Sequence, residues 1–196
     1  DGMDISGNSI LIEGNVLGDS YAGSCHQDAF EIGYPGVDGL TMRNNLIFDF
    51  TQLIYFPLGD EANQYAKNVE ISGNVLYTNK YWTVRGGEAP GIFFGTSRSD
   101  STIKNINIHS NTFGWVGYGA IWVFGASGMT MDSITIQNNV FHESGVDVDS
   151  RATNVRSNYN LYYQASKPSF EGANSLTADP QFVNYVRHSA WDFRLQ

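Results

Sequence analysis

An asparagine returns through this chain in one local frame, and no other feature restricts the fold as strongly. Ile12 precedes Asn15, Met42 precedes Asn45, Ile71 precedes Asn74, Ile108 precedes Asn111 and Ile136 precedes Asn139, each by three positions. A short pair of apolar or β-branched residues follows each time: Val16-Leu17, Leu46-Ile47, Val75-Leu76, Thr112-Phe113 and Val140-Phe141. Successive asparagines lie 30, 29, 37 and 28 residues apart, and a weaker sixth copy ends at Asn158 or Asn160. Self-similarity at such a period predicts stacked repeating units rather than a globular sandwich.

Three short strands can be placed in each repeat. The first precedes the asparagine (Ile10-Leu11-Ile12, Leu40-Thr41-Met42, Val69-Glu70-Ile71, Ile106-Asn107-Ile108, Ile134-Thr135-Ile136), with apolar residues two apart. That is the period of a strand with one buried face. The second is the pair after the asparagine. The third comes later: Phe30-Glu31-Ile32, Ile54-Tyr55-Phe56, Ile92-Phe93-Phe94, Ile121-Trp122-Val123 and Val146-Asp147-Val148, with Met3-Asp4-Ile5 as the same strand of an incomplete leading coil. The fold class expected is therefore all-β, a parallel solenoid of about six coils. Its asparagines stack at one corner, with their amides hydrogen-bonded along the axis. Asparagine also tolerates the left-handed backbone of a two-residue corner, and the expectation places the ladder asparagine itself there.

Composition fits this picture. The 196 residues are 41% hydrophobic, enough for one continuous core, and no stretch keeps a helical apolar period. A net charge of −9 argues against nucleic acid and anionic membrane surfaces as partners. It also makes a polyanionic glycan awkward without a bridging Ca²⁺. No apolar run is long enough to insert in a membrane as a helix, and the single Cys25 excludes an internal disulfide. Gly2-Met3-Asp4-Ile5 already reads as a strand, so residues 1–196 are expected to be one domain cut from a longer helix at both ends. The flanking segments of that longer chain would be natural neighbours.

The asparagine-turn repeat, over roughly residues 3–163, resembles the right-handed parallel β-helices of pectate lyases, polygalacturonases, alginate and chondroitin lyases, alginate epimerases and phage tailspikes. The ending Ala178-Asp179-Pro180-Gln181-Phe182-Val183 with Asp192-Phe193-Arg194-Leu195-Gln196 is similar to a closing segment of secreted bacterial β-helix proteins. The resemblance implies a right-handed helix, a secreted or cell-surface location, and a glycan groove on the outer face of the first sheet, formed by the third strands above.

Alternation sorts those strands. Met3 and Ile5, Phe30 and Ile32, Ile54 and Phe56, Ile92 and Phe94, Ile121 and Val123, and Val146 and Val148 point inward. Asp4, Glu31, Tyr55, Phe93, Trp122 and Asp147 form the central outward column. Flat aromatic faces along an axis suit the apolar faces of sugar rings, with acidic residues at the ends bonding hydroxyls. Long segments at 77–90 and 95–105 could instead cover the rings.

The densest polar cluster is at the acidic end, where His26, Asp28 and Glu31 are the catalytic candidates. His26 is suited to proton transfer near neutrality. Asp4, one coil from Glu31, makes a carboxylate pair that could share a proton, hold Ca²⁺ or serve a glycosidase. Arg85 and Arg98 could neutralise a uronate carboxylate beside the groove, and Tyr55, Phe93, Trp122 and Asp147 complete the substrate contacts. Weaker candidates are Glu88, Arg151 and the pair His142 and Glu143, while His109 and His188 lie outside the groove. The function expected is action on an extended polysaccharide, as a lyase or epimerase-like enzyme, with a glycosidase and a noncatalytic glycan-binding or structural module as alternatives.

Overall fold

A computed structural model of the chain describes residues 2–20, 27–78, 90–117, 119–185 and 191–195. Among these there is no helix, and the strands are almost all parallel, gathered into strongly curled sheets. Each turn of chain lies against the turn before and after it, an arrangement compatible with a solenoid.

One sheet of seven strands contains the short strands that follow the asparagines. Its order is Val16–Leu17, Leu46–Phe48, Val75–Tyr77, Thr112–Phe113, Val140–His142, Leu161–Tyr163 and Leu176–Thr177. A larger sheet of ten strands contains the other two rows. Met3–Glu13 and Asp28–Arg43 are long bent strands that belong to both rows. From Asp28–Arg43 one row continues through Gln52–Pro57, Ile92–Gly95, Ile121–Phe124 and Val146–Val148. The other continues through Tyr65–Ser72, Thr102–His109, Thr130–Gln137 and Thr153–Asn158. The sequence predicts separate strands in every repeat. In the first two turns the residues that connect the two rows, 6–9 and 33–39, are themselves part of the strand. Gly7 (φ 118°) and Gly36 (φ 124°) supply the bend, in backbone that a side chain would oppose.

The asparagine ladder explains the repeat. Asn15 Nδ2 donates to Asn45 Oδ1 at 3.0 Å, Asn45 to Asn74 at 2.9 Å, Asn74 to Asn111 at 3.0 Å, Asn111 to Asn139 at 3.1 Å, and Asn139 to Asn160 at 3.2 Å. The sixth copy is thus Asn160, not Asn158. From Asn45 to Asn160 each amide also donates to the carbonyl of the residue three before the previous ladder asparagine: Ile12, Met42, Ile71, Ile108 and Ile136. The invariant offset of three is the geometry of that bond. The left-handed corner is one residue earlier than expected: Gly14, Asn44, Gly73, Ser110, Asn138 and Tyr159 carry the positive φ, and the ladder asparagines do not. A second left-handed position sits six residues before each ladder asparagine, at Ser9, Gly39, Asn68, Asn105, Ser133 and Asn154.

The core is a set of stacked inward side chains. Phe30, Ile32, Ile54, Phe56, Ile92, Phe94 and Ile121 are fully buried, and Val123 nearly so. The Phe56 and Phe94 rings stack at 4.1 Å, Phe113 and Phe141 at 5.2 Å, and Phe141 and Tyr162 at 5.0 Å. Each such side chain contributes about 1.5–3 kcal/mol through burial. Met3 is the exception among the residues expected inside. It is 41% exposed, in a strand at the edge of its sheet among the described residues, where Ile5 is nonetheless buried.

Candidate functional site

The outward column is in register from end to end. Asp4 pairs with Glu31, Glu31 with Tyr55, Tyr55 with Phe93, Phe93 with Trp122, and Trp122 with Asp147. Parallel strands repeat at about 4.8 Å, so the five steps span about 24 Å. All three rings are partly exposed, while Asp4 and Asp147 at the ends are exposed.

The rings adopt a geometry that the sequence does not reveal. Tyr55 and Phe93 stack with centroids 5.2 Å apart and planes within 14°, and Phe93 and Trp122 at 4.5 Å and 13°. Their planes therefore lie across the stacking axis. Phe93 has both faces in ring contact, and the ladder offers the outside its ring edges. The Phe93 ring also lies over Gly95, where any Cβ would strike it. Phe124, 47% exposed, extends the apolar ridge with its centroid 6.2 Å from that of Trp122. The segment after Gly95 walls the ladder rather than covering it: Thr96 and Ser97 join Tyr55, Gly59, Asp60, Phe93, Gly95 and Phe124 around a cleft of about 250 Å³. A smaller recess of about 120 Å³ lies between Trp122 and Asp147, floored by Gly119 and Gly145.

Carboxylates surround this ridge. Burial first, then the charges of Asp60, Asp28 and Glu31, push the Tyr55 phenol up to about 12. Asp28 itself is only 1% exposed, so it acts from beneath the surface. The carboxylate of Asp4 fills the space that a side chain at Gly33 would need, leaning along the strand beyond Glu31. Among the described residues no three His, Cys, Asp or Glu side chains gather closely enough to hold a metal ion.

The arginines beside the groove have carboxylates of their own. Arg98 forms a two-point pair with Asp100, Nε to Oδ1 at 3.1 Å and Nη2 to Oδ2 at 3.0 Å. Arg151 binds both oxygens of Asp149 and the carbonyl of Gly125. That contact holds Asp149 at about 2, well below the usual carboxylate range. His26, Arg85, Glu88 and His188 lie outside the described residues. His109 sits 3.4 Å from Glu70, away from the column.

A second aromatic column, on the outer face of the seven-stranded sheet, escaped the sequence reading. Three residues after the ladder asparagines stand Gly18, Phe48, Tyr77, Gly114, His142 and Tyr163. Phe48 and Tyr77 stack at 5.2 Å, as do His142 and Tyr163 at 5.0 Å. The antiparallel pair Phe182–Tyr185 and Trp191–Leu195 lies over this column and bridges its gap at Gly114. Phe193 meets Tyr77, Phe182 meets Phe193, and both Phe182 and Tyr185 meet His142 edge-on. A cleft of about 550 Å³ opens there between Tyr163, Gln164, Asp179, Gln181 and Tyr185. The offset of three from the ladder could have exposed this column, since it repeats with the same period. Comparison with known protein families, with curated proteins and with solved structures finds no match to this chain.

Proposed function

We propose that the chain is a right-handed parallel β-helix of the pectate lyase-like kind, and that the outward column from Asp4 to Asp147 binds an extended polysaccharide. The observation that supports this reading is the unbroken register of three partly exposed, stacked aromatic rings between acidic ends. A contiguous apolar ridge of that length facing solvent marks a binding surface. The glycan would run along the stacking axis over the ring edges, its hydroxyls bonding to Asp4, Glu31, Asp60 and Asp147.

Binding is the best-supported part of this function. Lyase or epimerase chemistry on a uronate requires a cation to neutralise the sugar carboxylate, and Arg98 and Arg151 are both engaged by aspartates. A second reading, glycoside hydrolysis by paired carboxylates, draws support from the direct pairing of Asp4 with Glu31.

The test is a polysaccharide panel with and without Ca²⁺, scored for binding, for unsaturated products and for new reducing ends. The expected result is binding that Phe93→Ala removes. Unsaturated products lost in His26→Ala would establish lyase chemistry, and reducing ends lost in Glu31→Gln would establish hydrolysis. Failure of the folded protein to bind any glycan on a broad array would sink the proposal.

A further inference from the structure

The charges around the groove narrow the class of glycan. Three carboxylates on or beside the ladder, those of Asp4, Asp60 and Asp147, take no hydrogen bond or ion pair among the described residues, and all three are exposed. They are spread along the ridge: Asp4 at one end, Asp60 on the wall of the cleft with Tyr55 and Phe93, and Asp147 at the other end beside Trp122. Glu31 adds a fourth charge in the column, and Asp28 a fifth beneath it. The described cations at the groove give nothing back. The Arg98 guanidinium is spent on Asp100, and that of Arg151 on Asp149 and a backbone carbonyl.

A polymer lying in this cleft removes water from those carboxylates. A uronate would bring like charges within a few ångströms of them, which is unfavourable in a partly desolvated site. A neutral sugar offers only hydroxyl donors. An ammonium group offers charge-assisted hydrogen bonds, roughly twice as strong as neutral ones. The ring edges, which carry the positive end of the aromatic quadrupole, repel a cation. They leave it to the carboxylates while the ridge meets the apolar sugar faces.

We propose that the groove takes an amino-sugar polymer with protonated amines, in preference to a uronate polymer or a fully acetylated one. This inference rests on the reading of the column as a glycan site. Asp60, which with Asp28 and Glu31 adds to the effect of burial in raising the Tyr55 phenol, is one of the carboxylates that would draw in the amines.

Three oligosaccharides of equal length decide it: a glucosamine oligomer, its fully N-acetylated counterpart and an oligouronate, titrated calorimetrically at a pH where the free amine is protonated. The expected order is amine over acetylated by at least tenfold, with the uronate weakest. Raising the salt concentration, or the pH through the titration of the amine, should close the gap between the first two. The double variant Asp60→Asn/Asp147→Asn should narrow the ratio to less than threefold, with cooperative unfolding confirming that it is folded. Equal binding of amine and acetylated forms, or tighter binding of the uronate, overturns this inference and leaves the glycan site standing. Binding of none of the three, nor of any other glycan, by the folded protein overturns both.

Discussion

The ring of Phe93 lies 4.5 Å from that of Trp122 and within 13° of parallel, at neighbouring positions of two paired strands. The separation is close to the spacing of the backbones, so the rings stack as a direct extension of the sheet. Aromatic side chains at one register position of a parallel sheet have little choice but to stack. In doing so they turn their edges outward.

Phe93, with a ring on either side, is where the ladder is most sensitive. Phe93→Ala should destabilise the protein by about 2 kcal/mol, below the range for a fully buried phenylalanine because the ring is partly exposed. Urea denaturation measures the loss, and Phe93→Leu should recover part of it. Both variants should lose glycan affinity, since neither restores the ridge of ring edges.

The asparagine ladder is expected to show a gradient of cost. Asn74→Ala strands the backbone N–H and amide of Asn45 and the carbonyl of Met42, all in a buried setting. The expected loss is about 3 kcal/mol. Asn15→Ala, at the end of the ladder and only partly buried, should cost about 1 kcal/mol. Equal midpoints for the two variants in chemical denaturation would refute the cooperative ladder.

At the other end Glu171 closes the ladder. Its carboxylate accepts hydrogen bonds from Tyr162 Oη at 2.8 Å and Asn160 Nδ2 at 3.1 Å, and close contacts from the hydroxyls of Ser157 and Ser175. Burial and this carboxylate push the Tyr162 phenol upward. Glu171→Leu removes the carboxylate acceptor of the Tyr162, Ser157 and Ser175 hydroxyls, while Asn160 keeps the Ile136 carbonyl, and should cost about 2 kcal/mol. Hydrogen exchange should then show Leu176–Thr177 opening first, because that strand is the last of its sheet.

His142 should make stability depend on pH. It is 2% exposed, its Nδ1 has no hydrogen-bond partner, and burial holds it below its ordinary value of 6.5 against the opposing charges of Glu143 and Asp179. Tyr163 and Tyr185 enclose it, and Tyr185 is anchored to Glu143 at 2.6 Å. The neutral ring is favoured in the fold. Its stabilisation is therefore complete above the ordinary value and declines as pH falls from there towards the folded-state value, where the unfolded chain binds the extra proton. Thermal unfolding between pH 7 and 5 should show this decline, and His142→Phe should flatten it.

Much of the candidate site was legible because adjacency in a stacked fold is a matter of counting. The Asn frame aligned Ile54-Tyr55-Phe56 with Ile92-Phe93-Phe94, and strand alternation then placed Tyr55 and Phe93 outside. The register bears out the first step and the burial pattern the second. What was not legible depended on where side chains go after leaving the backbone. Arg98 and Asp100 are two residues apart, yet only the local turn shows that they grip each other. Asp28 reads as a catalytic candidate in the polar cluster, but packing buries it.

The sequence by itself determined the stacking frame and the identity of the outward column. A hydrogen-bonded ladder and a two-residue alternation are local and periodic, and they leave their mark in the order of residues. Only the tertiary structure decided that the left-handed corner falls on the residue before each asparagine, and that the rings present edges rather than faces. It also decided that the antiparallel pair near the end of the chain joins Tyr77 to His142 across Gly114. Each of these depends on contacts between residues far apart in the chain, where steric fit between neighbouring turns selects one arrangement among several that the local sequence allows.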